Sequence, residues 1–236
     1  MSYYDRYMQG EEVWPELIAF GGRVRDGELR GDVDRVTGEI VDRMRWNVEQ
    51  VVLRLHELGY QFGAYDGSEE IPYYEGPFRL AAAKDLRVLS KVEKTYGPLP
   101  LLLHAWYSKI GLVDLMGFHP DWTVEYPDPL VVSRLDQDGI ADEYDGWQME
   151  DDGTKFRLSV APDFFHKANV SGGPPYGFEL PNECVDGRFV EEPDYSYFYN
   201  YLKRCIKWGG FPGVAKQPSG IPTAHLEFLT QGLRSI

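Results

Sequence analysis

An α+β fold, a mostly antiparallel sheet flanked by helices with an N-terminal helical extension, is predicted by three features of the sequence. The first is a long apolar seam of helical period: Val33, Val36, Ile40, Met44, Val48, Val51, Leu55 and Leu58 recur at steps of three or four. The second is a pair of short amphipathic stretches joined by prolines, LRVLSKVEKTYGPLPLLLHAWYSKIGLVDLMGF, over residues 86–118. The third is strand-like alternation in KFRLSV, where Phe156, Leu158 and Val160 share one face.

Residues 1–30 are mixed, with Pro15 able to start a short helix reaching residue 20. Asp32 is a candidate cap for the seam helix, which spans about seven turns and stops at Gly59. Thr37-Gly38 is a candidate kink. The seam suits either packing on its own domain or a coiled-coil contact, and the lack of regular opposite charges beside it favours the former. The run YQFGAYDGSEEIPYYEGPF, rich in Gly, Pro and Tyr, marks the predicted boundary. It separates a helical extension and connector over 1–77 from an α+β domain over 78–236, together one compact unit.

In the central unit Leu86, Leu89 and Val92 form one apolar face, and Gly97 stops the helix. Pro98 and Pro100 frame Leu99, so the next helix begins at Pro100. Leu102, Leu103, Trp106 and Ile110 give its apolar side, Gly111 is expected to close it, and LVDLMGF reads as a strand. A short strand over 130–134 follows two prolines that confine it to an edge or a first position. Gly172, Gly173, Pro174 and Pro175 make a rigid turn from the KFRLSV strand to another at Tyr176–Leu180. A helix is expected from Asp194 as N-cap, with Phe198, Tyr201, Leu202, Cys205 and Ile206 as its stripe and Gly209-Gly210 as its stop. A last short helix starts from Pro222.

A chain of 236 residues with 43% hydrophobic content can bury a substantial core. No apolar run approaches the roughly 20 residues of a membrane span, and MSYYDRYMQGEE lacks the regions of a signal peptide, so a cytoplasmic location is expected. Cys184 and Cys205 have neither metal nor redox spacing and read as reduced thiols. The formal charge of −14 disfavours nucleic acid and anionic lipid and favours a basic protein partner. More than half of that charge lies between residues 125 and 155, where ten carboxylates face only Arg134 and Lys155, a balance of −8. The run is either a solvated loop surface or an interaction surface.

Among the histidines His56, His104, His119, His166 and His225 no HExxH or similar pattern exists. The best local cluster is Asp163, His166 and Lys167 near Ser171, where a carboxylate can orient an imidazole beside a hydroxyl. It supports the alternative of a small hydrolase with a site near Asp163 and His166; His119 beside Asp121 is weaker. No GxGxxG or GxxxxGK[ST] pattern supports a nucleotide, and SGGPPYG reads as a turn because its prolines remove donors. Trp208 and Phe211 of WGGFPG are expected to tuck onto the core. No catalytic residue, metal set or cofactor is assigned.

The succession of helix, Leu99-Pro100, a helix carrying Trp106-Tyr107 and Ile110-Gly111, then strands around Phe156 and Tyr176 and the helix from Asp194, resembles the SUKH superfamily over residues 78–208. That resemblance implies an α+β fold with a mostly antiparallel sheet and a non-enzymatic, protein-binding role, notably as an immunity protein that neutralises a toxin delivered between bacteria. With the acidic run it gives the expected contact surface for a basic, nuclease-like partner: Asp136, Asp138, Asp142, Glu143, Asp145, Glu150, Asp151 and Asp152, with Trp147 as aromatic anchor.

Overall fold

Two short helices, α1 (Tyr3–Met8) and α2 (Trp14–Ala19), lead into the apolar seam, which forms one helix, α3 (Glu28–Leu58). The computed structural model describes residues 1–24, 27–67, 69–150 and 153–236. After α3 come β1 (Gln61–Phe62), β2 (Phe78–Leu80), α4 (Ala83–Tyr96), α5 (Leu101–Lys109), β3 (Ile110–Asp114), β4 (Gly117–Phe118) and β5 (Val131–Val132). The chain continues through α6 (Gln137–Glu150), β6 (Phe156–Ala161), β7 (Tyr176–Leu180), α7 (Phe198–Lys207) and α8 (Thr223–Thr230). All strand pairs are antiparallel: β1 with β4, β3 between β2 and β5, and β6 with β7. A bond from Ser133 N to Val160 O, 2.8 Å, joins the β5 edge to β6. The result is an α+β fold of small sheets flanked by helices, as expected.

From Val33 to Leu55 the seam of α3 is buried inside the chain, and α5, α1 and α8 pack along the helix. The candidate kink at Thr37-Gly38 is helical throughout. Gly38 instead receives α5: Lys109 Nζ donates to its carbonyl at 2.9 Å and reaches Asp42 Oδ2 at 2.6 Å. Asp32 does not cap α3, which starts after Gly27. Its carboxylate accepts from Tyr3 N and, at 3.2 Å, from Tyr4 N, so it satisfies the open first turn of α1, a helix far away in sequence.

The proline-framed unit forms as read, with four differences, the first being that LVDLMGF is not one strand: it breaks after Asp114 into β3 and β4, which pair in separate sheets. Leu89 and Val92 are buried but Leu86 is exposed, one turn nearer the helix start. Pro100 is the cap residue of α5, whose first helical residue is Leu101. Gly111 does not close α5, because Ile110 is already extended and begins β3. A side chain at Gly111 would sit 2.9 Å from Leu80 O, so glycine is there to let β2 approach.

Two further expectations are corrected. Asp194 is not the cap of α7, which starts at Phe198. The N–H of Tyr199 in its first turn goes to the distant Asp186 carboxylate at 3.1 Å, while Asp194 turns to Arg204 at 3.3 Å. The acidic run is a helix, not a loop: Ile140, Tyr144 and Trp147, at spacings of four and three, seat α6 on β6.

Candidate functional site

The two faces of α6 are unlike. On the inner side Ile140 is buried, the Tyr144 ring lies 4.8 Å from Tyr96 and 5.0 Å from Phe156, and Trp147 lies 5.2 Å from Tyr144. Trp147 Nε1 donates to Thr154 O at 3.2 Å, so the indole predicted as an anchor is half-buried in the seat of its own helix. On the outer side Asp138, Asp142, Asp145 and Met149 follow at helical spacing and form one exposed stripe, Met149 being 85% exposed. Glu143 and Glu150 are exposed beside it, Glu143 Oε2 accepting from Ser159 N at 3.3 Å. Asp136, just before the helix, lies 3.8 Å from Arg134, which Glu75 already holds at 2.6 Å. Asp138, Asp142, Asp145 and Glu150 make no ion pair among the described residues. Asp151 and Asp152 lie outside the described residues.

This outer face works against the helix that carries it. Like charges four apart destabilise a helix by about 0.2–0.5 kcal/mol per pair, and carboxylates in the last turn meet the negative end of the helix dipole. Packing of the inner face holds α6 in place.

The second arrangement gathers around Asp163. Its buried carboxylate accepts from Phe165 N at 2.8 Å and His166 N at 3.3 Å, and His166 Nδ1 donates to Oδ2 in a short contact. A single 3₁₀ turn, His166–Ala168, sets the imidazole over its carboxylate and leaves its other side exposed. Gly172 wraps this turn closely, since a Cβ there would meet Asp163 Oδ1 at 2.4 Å. Asp163, His166 and Ser171 border an open cleft of about 720 Å³ together with Asp114, Tyr65 and Asn169. Burial pushes the Asp114 carboxyl up to about 6, against the opposing effect of a bond from Met116 N at 3.0 Å. Ser171 makes no hydrogen bond to His166. Carboxylate and imidazole are thus assembled, and the hydroxyl is not.

Lys167 leaves this cluster. Its side chain is fully buried and its ammonium lies 2.7 Å from Asp128 Oδ1. His119 is occupied at both nitrogens, Nε2 donating to Leu58 O at 2.9 Å and Nδ1 accepting from Asp121 N at 3.1 Å. Phe211 is buried and Trp208 half-buried, as expected. Cys205 is buried and Cys184 half-buried, both unpaired, and burial raises the Cys205 thiol far above its ordinary value. No described helix is long and apolar enough to cross a membrane.

Sequence reasoning missed Met149 and Asp114. Met149 was recoverable once residues 137–150 were drawn as a helix; Asp114 was not, since its significance comes from burial beside a loop some fifty residues away. In comparison with known proteins, no family model, no curated protein and no solved structure matches the chain.

Proposed function

We propose that the chain is a non-enzymatic protein-binding module that captures a basic protein on the outer face of α6, in the manner of an immunity protein neutralising a nuclease-like toxin. The observation that carries this reading is the exposed stripe Asp138, Asp142, Asp145 and Met149, whose carboxylates have no ion-pair partner within the described chain. Unpaired surface charge of one sign steers a partner of the other sign and speeds encounter. Met149, a flexible thioether among carboxylates, supplies apolar contact where Trp147 is turned inward. The SUKH resemblance points to the same class of role.

The test is stopped-flow association with a basic nuclease toxin at about 20 mM and about 500 mM salt, a range over which screening shortens from tens of ångströms to a few. The triple variant Asp138→Asn, Asp142→Asn, Asp145→Asn is expected to associate roughly tenfold more slowly at low salt, with a flatter salt dependence. An unchanged rate and slope would place the contact elsewhere.

A second reading rests on the Asp163–His166 pair in its cleft: a small hydrolase in which His166 acts as general base on a bound water. Asp163 holds the ring through Nδ1, which leaves Nε2 for the proton. Turnover of a panel of activated esters and phosphoesters, lost in His166→Ala and reduced in Asp163→Asn, supports it. Equal background rates for all three proteins rule it out.

A further inference from the structure

The loop that carries His166 also walls a second cavity. Phe164 lines a space of about 280 Å³ whose other apolar sides are Val124, Tyr126, Pro193 and Pro212. The two rings meet edge to face, centroids 5.8 Å apart and planes at 90°. The volume lies just under the roughly 300–1,000 Å³ of drug-sized sites, enough for one small metabolite-like molecule.

The charges at this cavity fall into two groups. Deep in the wall, Asp128 is matched by Lys167 at 2.7 Å and Glu192 by Arg204 at 2.5 Å, both carboxylates more than nine-tenths buried. These pairs fix the frame. At the mouth, matching is incomplete. Lys216 is exposed, its ammonium 5.5 Å above the Phe164 ring and without an ion-pair partner among the described residues. Glu125 is exposed and likewise makes no ion pair, and Asp194 shares Arg204 with Glu192. One cation and two incompletely matched carboxylates therefore surround an apolar, aromatic opening.

The backbone here is also costly. Asp128 is held at φ 48° between two prolines, and Glu191 (φ 64°) and Tyr195 (φ 45°) flank the lining residues Glu192, Pro193 and Asp194. Such conformations in non-glycine residues gather where a site imposes them. Gly213 completes the wall, for a Cβ there would lie 2.2 Å from Tyr126 O, so the 3₁₀ turn Pro212–Lys216 closes directly on the Tyr126 backbone.

We propose that this cavity binds a small zwitterion with an apolar body, an α-amino acid or a molecule of the same charge pattern, its ammonium toward Asp194 and Glu125 and its carboxylate toward Lys216. The rings of Tyr126 and Phe164 take the apolar body. This site is separate from the α6 face and stands or falls independently of it.

Titration of the full chain, followed by calorimetry and by amide chemical shifts, tests the assignment with L-phenylalanine, L-leucine, phenethylamine and 3-phenylpropionate. The two amino acids are expected to saturate the site below about 20 mM, within the affinity that small-ligand efficiency permits. Each singly charged analogue should bind about tenfold more weakly, the usual consequence of losing one charged contact. Lys216→Ala, an exposed change that leaves the fold intact, should lower phenylalanine to the affinity of phenethylamine and leave phenethylamine unaffected. The double variant Glu125→Gln, Asp194→Asn should bring phenylalanine down to the level of 3-phenylpropionate. Absence of saturable binding by both amino acids, equal binding of the amine and the amino acid, or indifference of phenylalanine to Lys216→Ala overturns the proposal.

Discussion

Helix α6 and the buried belt formed by Asp128, Lys167, Glu192 and Arg204 treat charge in opposite ways. On α6 the carboxylates have no ion-pair partner among the described residues; in the belt each carboxylate is closed on a cation from another element. The carboxylates of the belt lie where water hardly solvates them, so each needs its cation, and the pairs tie the Asp128 loop to the Lys167 turn and Glu192 to α7. The outer charges of α6, Asp138, Asp142 and Asp145, are hydrated and act at a distance. The two regions therefore differ in what a substitution should change: geometry and stability in the belt, encounter rate on the helix.

The contrast is broken most forcefully at Lys167. Lys167→Met leaves the buried Asp128 carboxyl without its cation, and unfolding in urea should show a loss of about 3–5 kcal/mol. Adding Asp128→Asn should restore much of it, and a double variant as unstable as the single one would mean that the pair is not the source of the loss.

Asp186 is a buried carboxylate with no ion pair among the described residues, and it accepts from Trp14 Nε1, Tyr199 N and Gly187 N. Burial pushes it up to about 7 from 3.8. Because the folded value is the higher one, the fold favours the protonated acid. Its stabilising contribution is complete below about pH 4, declines as pH rises and is gone above about pH 7, a difference of roughly a few kcal/mol. The melting temperature of the wild type should drop across that window, and Asp186→Asn should flatten the drop; an unchanged slope would assign it to other groups.

On α6 the expected effects are smaller and of opposite sign. The double variant Asp142→Asn, Asp145→Asn, which keeps Asp138 in the first turn where the helix dipole favours it, should be more stable than the wild type by several tenths of a kcal/mol, about 0.2–0.5 for each relieved repulsion. Thermal melting at low salt reads this, and a destabilised variant would show that these carboxylates hold something in the fold. The smallest change is at Met149: Met149→Ala should leave stability within about 0.5 kcal/mol while weakening partner binding, so a fully stable variant with normal affinity would remove Met149 from the contact.

Much of the fold was legible because helical and strand periodicity is local. The seam of α3 as far as Leu55, the face of α5 and the alternation of β6 each bury the residues read as apolar. The acidic run was misread as a loop because Gly139, Gly146 and the carboxylates hide the four-and-three spacing of Ile140, Tyr144 and Trp147. Of the candidate sites, the Asp163–His166 contact was legible because it lies within one turn. The outward direction of Asp138, Asp142 and Asp145, and the inward one of Trp147, follow from the helix that the reading lacked.

The sequence by itself determined the residue types that end helices, the periods that make them and the concentration of negative charge. Tertiary structure decided which group each polar side chain serves. Asp32 takes two first-turn N–H groups of α1, whose cap is Ser2, rather than capping α3, Asp186 rather than Asp194 closes the start of α7, and Lys167 leaves the His166 turn for Asp128. The physical reason is range: periodicity is written in neighbours a few residues apart, whereas an orphan N–H or a buried charge is satisfied by whatever partner packing brings within hydrogen-bond distance, at any separation along the chain.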